Sequence, residues 1–354
     1  VFREKSGGYF THRIPALLVT GKGALLAFCE GRRGSASDSA PTDILLRRSL
    51  DGGNTWGPVQ VVASFARDTV GNPTPVYDRR TRTILLLMTR SPAGVSESEI
   101  MAGKGRGSKT VWITRSADEG AHWSRLENIT SSAKRGDSTW YATGPGNGIQ
   151  MRDGRLVIPC DHAVAGGHHY WSHVIYSDSD GKTWKIGGSA GPDTNESAVV
   201  ELANGDLILN MRSYAGHYRR AIAYSHDGGV TWSPVHLDPA LVEPVCEASL
   251  IRYSLAATGG RNRLLFSNPA DIVRDRMTVR LSYDEGQTWP VSRMIYKGPS
   301  GYSSLAVLKD RTIGLLYERS PEKNAGLAGE GPGIVFAHFN LDWLTRGKDS
   351  PRGL

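Results

Sequence analysis

Three arginines stand where strand-like runs begin or end: Arg13 in His12-Arg-Ile-Pro15, Arg212 in Leu209-Asn-Met-Arg-Ser213 and Arg274 in Ser267-Asn-Pro-Ala-Asp-Ile-Val-Arg274. A guanidinium is planar, permanently charged and presents its donors as a fork. Three of them converging on one point would hold a carboxylate strongly and in one orientation. Any one alone is more often a solvated cation or a salt-bridge partner. The only histidine cluster runs from Asp161 to His173 and includes His162, His168 and His169. Its spacing matches no zinc motif, so no metal is expected there. It reads instead as a glycine-hinged loop at the mouth of a site, with His162, Tyr170 or His173 reaching a ligand.

Side chains so far apart in sequence need a frame that brings them together, and an octapeptide repeat supplies one. Ser49-Leu-Asp-Gly-Gly-Asn-Thr-Trp56 recurs from Ser116, Ser225 and Ser282, and a fifth copy from Ser177 has Ser179 in place of the Asp. The copies start 48 to 67 residues apart, room for one four-stranded sheet each, which is the period of propeller blades. Within a copy, Asp can bond backbone N–H groups two residues on, Gly tolerates positive φ, and Trp folds back as an apolar plug. The repeat therefore reads as a hairpin turn stapling two strands of one blade. Asp51, Asp118, Asp227 and Asp284 are structural on this reading.

The segment before each copy is strand-like, over residues 43–48, 110–115, 172–176, 220–224 and 277–281. Apolar runs at 13–19 and 334–339 supply a closing blade from both ends. The expectation is one all-β domain over residues 1–354, a six-bladed β-propeller of four-stranded antiparallel blades.

Composition is that of a globular chain, with 39% hydrophobic residues and no apolar run near the ~18 residues of a membrane span. The chain opens at Val1 with neither Met nor an apolar leader, which suits a processed mature form or a trimmed piece. Cys29, Cys160 and Cys246 are few and far apart, hence small core hydrophobes rather than a disulfide framework. A formal charge of +7 favours an acidic partner. The basic residues are scattered and no nucleic-acid motif is present, which argues against nucleic acid.

Arg13-Ile-Pro15 followed by repeated Asp boxes resembles the sialidases (neuraminidases), and the resemblance covers nearly the whole chain. It extends through Ala27-Phe-Cys-Glu-Gly-Arg32 followed by Asp38, Gly71-Asn-Pro-Thr-Pro-Val76, Gly144-Pro-Gly-Asn-Gly-Ile-Gln150, Asn195-Glu-Ser197, Phe266-Ser-Asn-Pro-Ala270, Gly301-Tyr-Ser303 and Leu316-Tyr-Glu-Arg319. Asp boxes alone say little about activity, because non-enzymatic propellers use them as turns; the ordered set is the specific signal. His12 departs from the aromatic that often precedes Arg-Ile-Pro in the family.

The resemblance implies that Arg13, Arg212 and Arg274 hold the carboxylate of sialic acid and that Glu318 braces Arg13. Arg276 rivals Arg274, but the family spacing before Met277 favours Arg274. Arg32 and Asp38 fall in the loop over the glycosidic oxygen, with Arg33 the rival of Arg32, and Asn72 contributes to the pocket for the N-acyl or C4 region. Tyr302 is implied as nucleophile with Glu196 as its base, and Asp38 as general acid and then base. The electrostatics agree: the anomeric carbon of sialic acid carries a carboxylate, so an attacking Asp or Glu would be repelled where a neutral phenol is not. The phenol, with a free pKa near 10, needs a base beside it. Asp38 needs a raised pKa, which a partly desolvated loop would supply.

The expectation is thus a retaining exo-α-sialidase without metal or organic cofactor. It acts as a monomer on sialylated oligosaccharides, glycoproteins or glycolipids, in a secreted or periplasmic location. The sequon Asn195-Glu-Ser197 contains the implied base, so a glycan there would block the site, which argues for a prokaryotic or otherwise unglycosylated enzyme. A trans-sialidase would share every catalytic residue, with Trp140, Tyr141, Tyr170 and Trp171 available as aromatic platforms. A hydrolase of a related nine-carbon acid would use the same arginine grip, which reads only the shared carboxylate. A non-catalytic propeller that binds sialylated glycans would be expected to lack at least one of Tyr302, Glu196 and Asp38, and all three are present.

Overall fold

The computed structural model describes residues 1–103, 107–167, 169–258, 260–320 and 333–351. Among them the fold is all-β, with three helices of four or five residues at Glu97–Met101, Thr130–Ala133 and Leu341–Thr345. No helix among these residues is long and apolar enough to cross a membrane.

The strand ladders form four open sheets. The eight-stranded sheet is two antiparallel meanders joined by one parallel bridge, Thr42 to Thr69. A five-stranded sheet runs from Ser138–Thr143 to Lys185–Ala190, and a four-stranded sheet from Thr194–Glu201 to His236–Val242. In the seven-stranded sheet the long strand Val291–Val307 serves two meanders, pairing with Asp275–Ser282 through its first half and with Ile313–Arg319 through its second. Both chain ends share that sheet, but the contributor differs from expectation. Phe2–Arg3 pairs with Gly333–Phe339, whereas Thr11–Val19, which contains Arg13, opens the next sheet against Leu25–Arg32. A strand carrying its own bulge and hairpin partner is not available to close another sheet.

The five octapeptides lie between the third and fourth strands of their meanders, and their bonds reach further than two residues. Ser49 Oγ donates to Asp51 Oδ1 (2.7 Å) and accepts the Gly53 N–H (2.9 Å), while Asp51 accepts the Thr55 N–H (2.9 Å) and hydroxyl (2.6 Å). Ser179 does the work of the missing Asp: its Oγ accepts the Thr183 N–H at 2.9 Å and meets the Thr183 hydroxyl at 2.7 Å. The tryptophans cover apolar neighbours, Trp56 on Phe336 and Trp123 on Phe28.

The core lies between neighbouring sheets. Leu85, Leu87 and Ile113 of one pack on Leu156, Ile158 and Ile175 of the next, each fully buried side chain contributing about 1.5–3 kcal/mol. Polar bonds also tie meanders together: Asn147 Nδ2, from the loop after Ser138–Thr143, donates to Leu17 O (2.8 Å), and Leu305 N donates to Ser249 Oγ (3.0 Å) between the two meanders that share Val291–Val307. Cys29, Cys160 and Cys246 are free and buried.

Three histidines are buried neutral. His12 packs between the rings of Phe2 and Tyr9, taking the aromatic place its sequence position suggests. His162 and His173 face each other through Nδ1 atoms 3.0 Å apart. Burial lowers His12 and His162 to about 4 and His173 well below its ordinary value. Unfolded histidine titrates near 6.5, so below that pH the unfolded chain binds more protons and stability falls as the pH drops toward 4. The box carboxylates act in a lower window, since the Thr55 hydroxyl and N–H hold Asp51 at about 2. Urea midpoints measured from pH 7 to pH 4.5 should therefore decline steadily through this range, with a smaller decline in His162→Gln. A flat profile would contradict the burial of neutral rings.

Candidate active site

Eight of the nine residues picked out above line one cavity of about 380 Å³, and the ninth, Glu318, stands behind Arg13. At its floor lies Tyr302, 6% exposed. Its hydroxyl donates to the Glu196 carboxylate, with Oε1 at 2.6 Å and Oε2 at 2.8 Å, and accepts from Arg212 Nη1 at 3.1 Å. The same Nη1 is 2.7 Å from Glu196 Oε2. Burial, followed by the Glu196 charge, pushes the phenol well above its ordinary value. In the resting pocket the proton stays on oxygen, held toward the carboxylate.

Arg13 projects from a bulged strand. The register slips between Arg13 and Ala16, and Ile14 has φ +60°, an unusual strain for a β-branched residue. Glu318 secures the distortion: Oε1 accepts from Arg13 Nε (2.7 Å) and the Ile14 N–H (2.8 Å), and Oε2 from the Tyr302 N–H (3.2 Å). A Cβ on Gly301 would collide with that carboxylate, so glycine is required there. The Glu318 charge holds the Arg13 guanidinium protonated. For Arg212, burial opposes the charge and Glu196 more than offsets it.

Arg274 lies over the Tyr302 ring, 5.5 Å from its centroid, as does Arg13. Its side chain donates from Nη2 to Val245 O at 3.3 Å, and no carboxylate among the described residues forms an ion pair with it. Arg276, the rival, turns away to Asp271 at 3.2 Å. Arg32 is nearly buried. Its Nε and Nη2 bind Glu30 Oε2 (3.0 and 2.8 Å), and Nη1 reaches Ala36 O (2.8 Å) and Asp38 Oδ1 (2.5 Å). Arg33 instead pairs with Asp43 outside the cavity. Asp38 is 78% exposed although paired with Arg32, and residues 34–38 are exposed with it, so the desolvated loop expected for it is not present.

Asn72 sits at φ +57°, its N–H donating to Glu30 Oε1 (2.9 Å) and its Oδ1 accepting from Thr89 (3.0 Å). Glu30 therefore positions both Arg32 and Asn72, a role the sequence reading missed. The signal was there, because residues two apart on a strand share a face. Glu97, Lys109, Asn195 and Tyr214 also line the cavity unanticipated, as does Trp140, which the sequence offered only as an aromatic platform. The histidines of the loop are not at the mouth: His162 and His173 are buried, His169 pairs with Asp193 at 2.7 Å, and His168 lies outside the described residues. Tyr170 does reach the rim, bonded to Glu97 and stacked on Tyr214.

Fold and site together define a repeat-built sheet protein with an arginine-lined, tyrosine-floored cavity, and comparison with known proteins agrees. The family described as BNR repeat-like domain matches residues 23–317. A sialidase of Micromonospora viridifaciens is 37% identical over 95% of this chain and 52% of its own length. A sialidase of Bacteroides fragilis is 33% identical over 87% of this chain and 60% of its own length. The solved structure of the Hadza microbial sialidase Hz136 superposes with a TM-score of 0.84 at 32% identity, over 95% of this chain and 67% of that one. The chain belongs to the sialidase family of BNR-repeat proteins. It spans just over half the length of those first two relatives.

The unequal bracing of the arginines has a measurable consequence. Arg13→Met leaves the Glu318 carboxylate, 12% exposed, without its cation. It should lower unfolding free energy by about 2–3 kcal/mol. Arg274→Met removes an exposed group with no carboxylate partner among the described residues and should change the urea midpoint little.

Proposed function

We propose that the chain is a retaining exo-α-sialidase, built as six blades around the cavity and releasing terminal sialic acid from oligosaccharides, glycoproteins or glycolipids through a covalent tyrosyl intermediate. The observation that carries this reading is the Tyr302–Glu196 contact, a phenol and a base at hydrogen-bond distance beneath three arginines. Six four-strand meanders, two of them sharing Val291–Val307, support the blade count.

In the proposed reaction Arg13, Arg212 and Arg274 grip the substrate carboxylate, with Arg274 free of any carboxylate of its own to compete for it. The grip sets the anomeric carbon over the phenol. Tyr302 Oη attacks that carbon as Glu196 takes the phenolic proton, and the carbon–oxygen bond to the aglycone breaks as Asp38 protonates the leaving oxygen. The arginines bear the field of the oxocarbenium-like transition state. Asp38 then takes a proton from water, which attacks the same carbon, and Glu196 returns its proton to the phenolate. Retention follows from two displacements. An exposed Asp38 suits a first step in which the aglycone itself covers the acid and desolvates it. All nine residues come from one chain, in keeping with a monomer, and action on glycans of other molecules suits a secreted or periplasmic setting.

The test follows 3′-sialyllactose by NMR from the first minutes with the unaltered chain and with Tyr302→Phe. The expected result is early α-anomer of free sialic acid, abolished in the variant. A β-anomer produced first would overturn retention, and an anhydro or transferred product would make the chain a trans-sialidase. Asp38→Asn should lower kcat on sialyllactose by about 10²–10⁴-fold. The loss should be much smaller with a nitrophenyl leaving group that needs no protonation; equal losses on both substrates would remove Asp38 from the acid role.

A further inference from the structure

Outside the cavity lies a fully buried ion pair that the proposed chemistry does not use, Arg220 Nη1 to Glu243 Oε2 at 3.1 Å, both side chains with no exposure. Arg220 is fixed by Asn210, with Nε to Oδ1 at 2.6 Å and Nη2 to the carbonyl at 3.2 Å, and its Nη1 also binds Cys246 O at 2.6 Å. Glu243 uses both oxygens: Oε1 accepts the Ser213 N–H (2.8 Å) and Oε2 the Cys246 N–H (3.0 Å). The pair thus clamps the short segment Glu243-Pro-Val-Cys-Glu247, in which Val245 has φ +53°, a conformation a β-branched residue does not hold unaided.

The contacts of that segment lead to three site residues. Ser213 follows Arg212 in the chain. Val245 O accepts from Arg274 Nη2. Cys246 packs with Ile14 and Tyr302 in one buried cluster, and Glu247, 2% exposed, accepts the Ser303 N–H at 2.8 Å, next to Tyr302. Neither Arg220 nor Glu243 lines the cavity. We propose that the Arg220–Glu243 pair is a positioning device that sets Arg212, Arg274 and Tyr302 relative to one another through the 243–247 segment. The proposal deepens the sialidase reading and rests on it for its kinetic readout.

Glu243→Gln is the informative change, because the side chain keeps one acceptor oxygen and turns an amide donor toward one of two N–H donors. Asp349→Asn is the control. Its partner Arg263 is buried as deeply, at 2.7 and 2.6 Å, but the pair touches no site residue. Both variants lower the melting temperature. Assayed on 3′-sialyllactose well below both transitions, Glu243→Gln should lose about ten- to a hundredfold in kcat/KM, with KM raised and kcat lowered, as expected for misplacement on the ångström scale. Asp349→Asn should match the unaltered chain. Equal kinetics in the two folded variants would overturn the positioning role. Should Glu243→Gln fail to fold, Arg220→Lys, which keeps a cation but cannot span Asn210, Glu243 and Cys246 together, should give the same split at smaller size, and unchanged constants would again overturn it. If the unaltered chain releases no sialic acid, the sialidase reading fails by itself. Amide hydrogen exchange then decides: faster exchange at Ser213 and Ser303 in Glu243→Gln, and not in Asp349→Asn, supports the device, while unchanged exchange sinks it.

Discussion

Like charges gathered in one cavity repel, and every other feature of this site answers to that constraint. Arg13 and Arg274 both lie 5.5 Å from the centre of the Tyr302 ring. Guanidinium groups gathered around one ring repel each other at the effective dielectric of a protein surface. The structure offsets this with carboxylates placed behind or beside the cations: Glu318 for Arg13, Glu196 for Arg212 and Glu30 for Arg32. Among the described residues Arg274 has no such partner and binds a carbonyl instead. Two of these carboxylates serve the backbone as well, Glu318 holding the strained Ile14 turn and Glu30 the left-handed Asn72. Glycine is needed beside both, because a Cβ at Gly301 or Gly71 would strike the carboxylate oxygen.

The buried phenol follows from the same arrangement. Tyr302 sits within a ring of positive charge yet stays protonated, because burial and the adjoining Glu196 outweigh the arginines. A hydroxyl already aimed at a carboxylate can pass its proton over a short path once a substrate is seated. The sheet architecture makes such proximity possible between residues 106 apart in the chain. First strands of separate meanders lie side by side, so positions remote in sequence become neighbours across a sheet boundary.

Much of this was readable from the residues. The Asp boxes marked five turns and their flanking strands, because Ser, Asp, Gly and Thr at fixed offsets make local bonds that need no tertiary partner. Even the degenerate third box behaves so, since Ser179 has an oxygen at the right distance to accept from Thr183. The family motifs pointed to the residues that meet in the cavity, and to Glu318 behind Arg13. Less legible was anything set by a partner from another sheet. The solvent exposure of Asp38, the burial of His162 against His173, and the use of Phe2–Arg3 rather than residues 13–19 to complete the last sheet all ran against the reading of local pattern.

The sequence by itself determined the all-β character and the turn chemistry, because each depends on the preferences of a few adjacent residues, and the family motifs it carries pointed to the arginines, acids and tyrosine. Only the tertiary structure showed that Arg274 and Arg32 face the cavity while Arg276 and Arg33 turn to carboxylates outside it, and only it revealed Glu30, Glu97, Lys109 and the Arg220–Glu243 pair around the site. Those outcomes rest on which side chain faces a neighbouring sheet and which carboxylate awaits it there. Such pairings join residues tens to hundreds of positions apart, and the cost of burying an unpaired charge, rather than any local preference, enforces them.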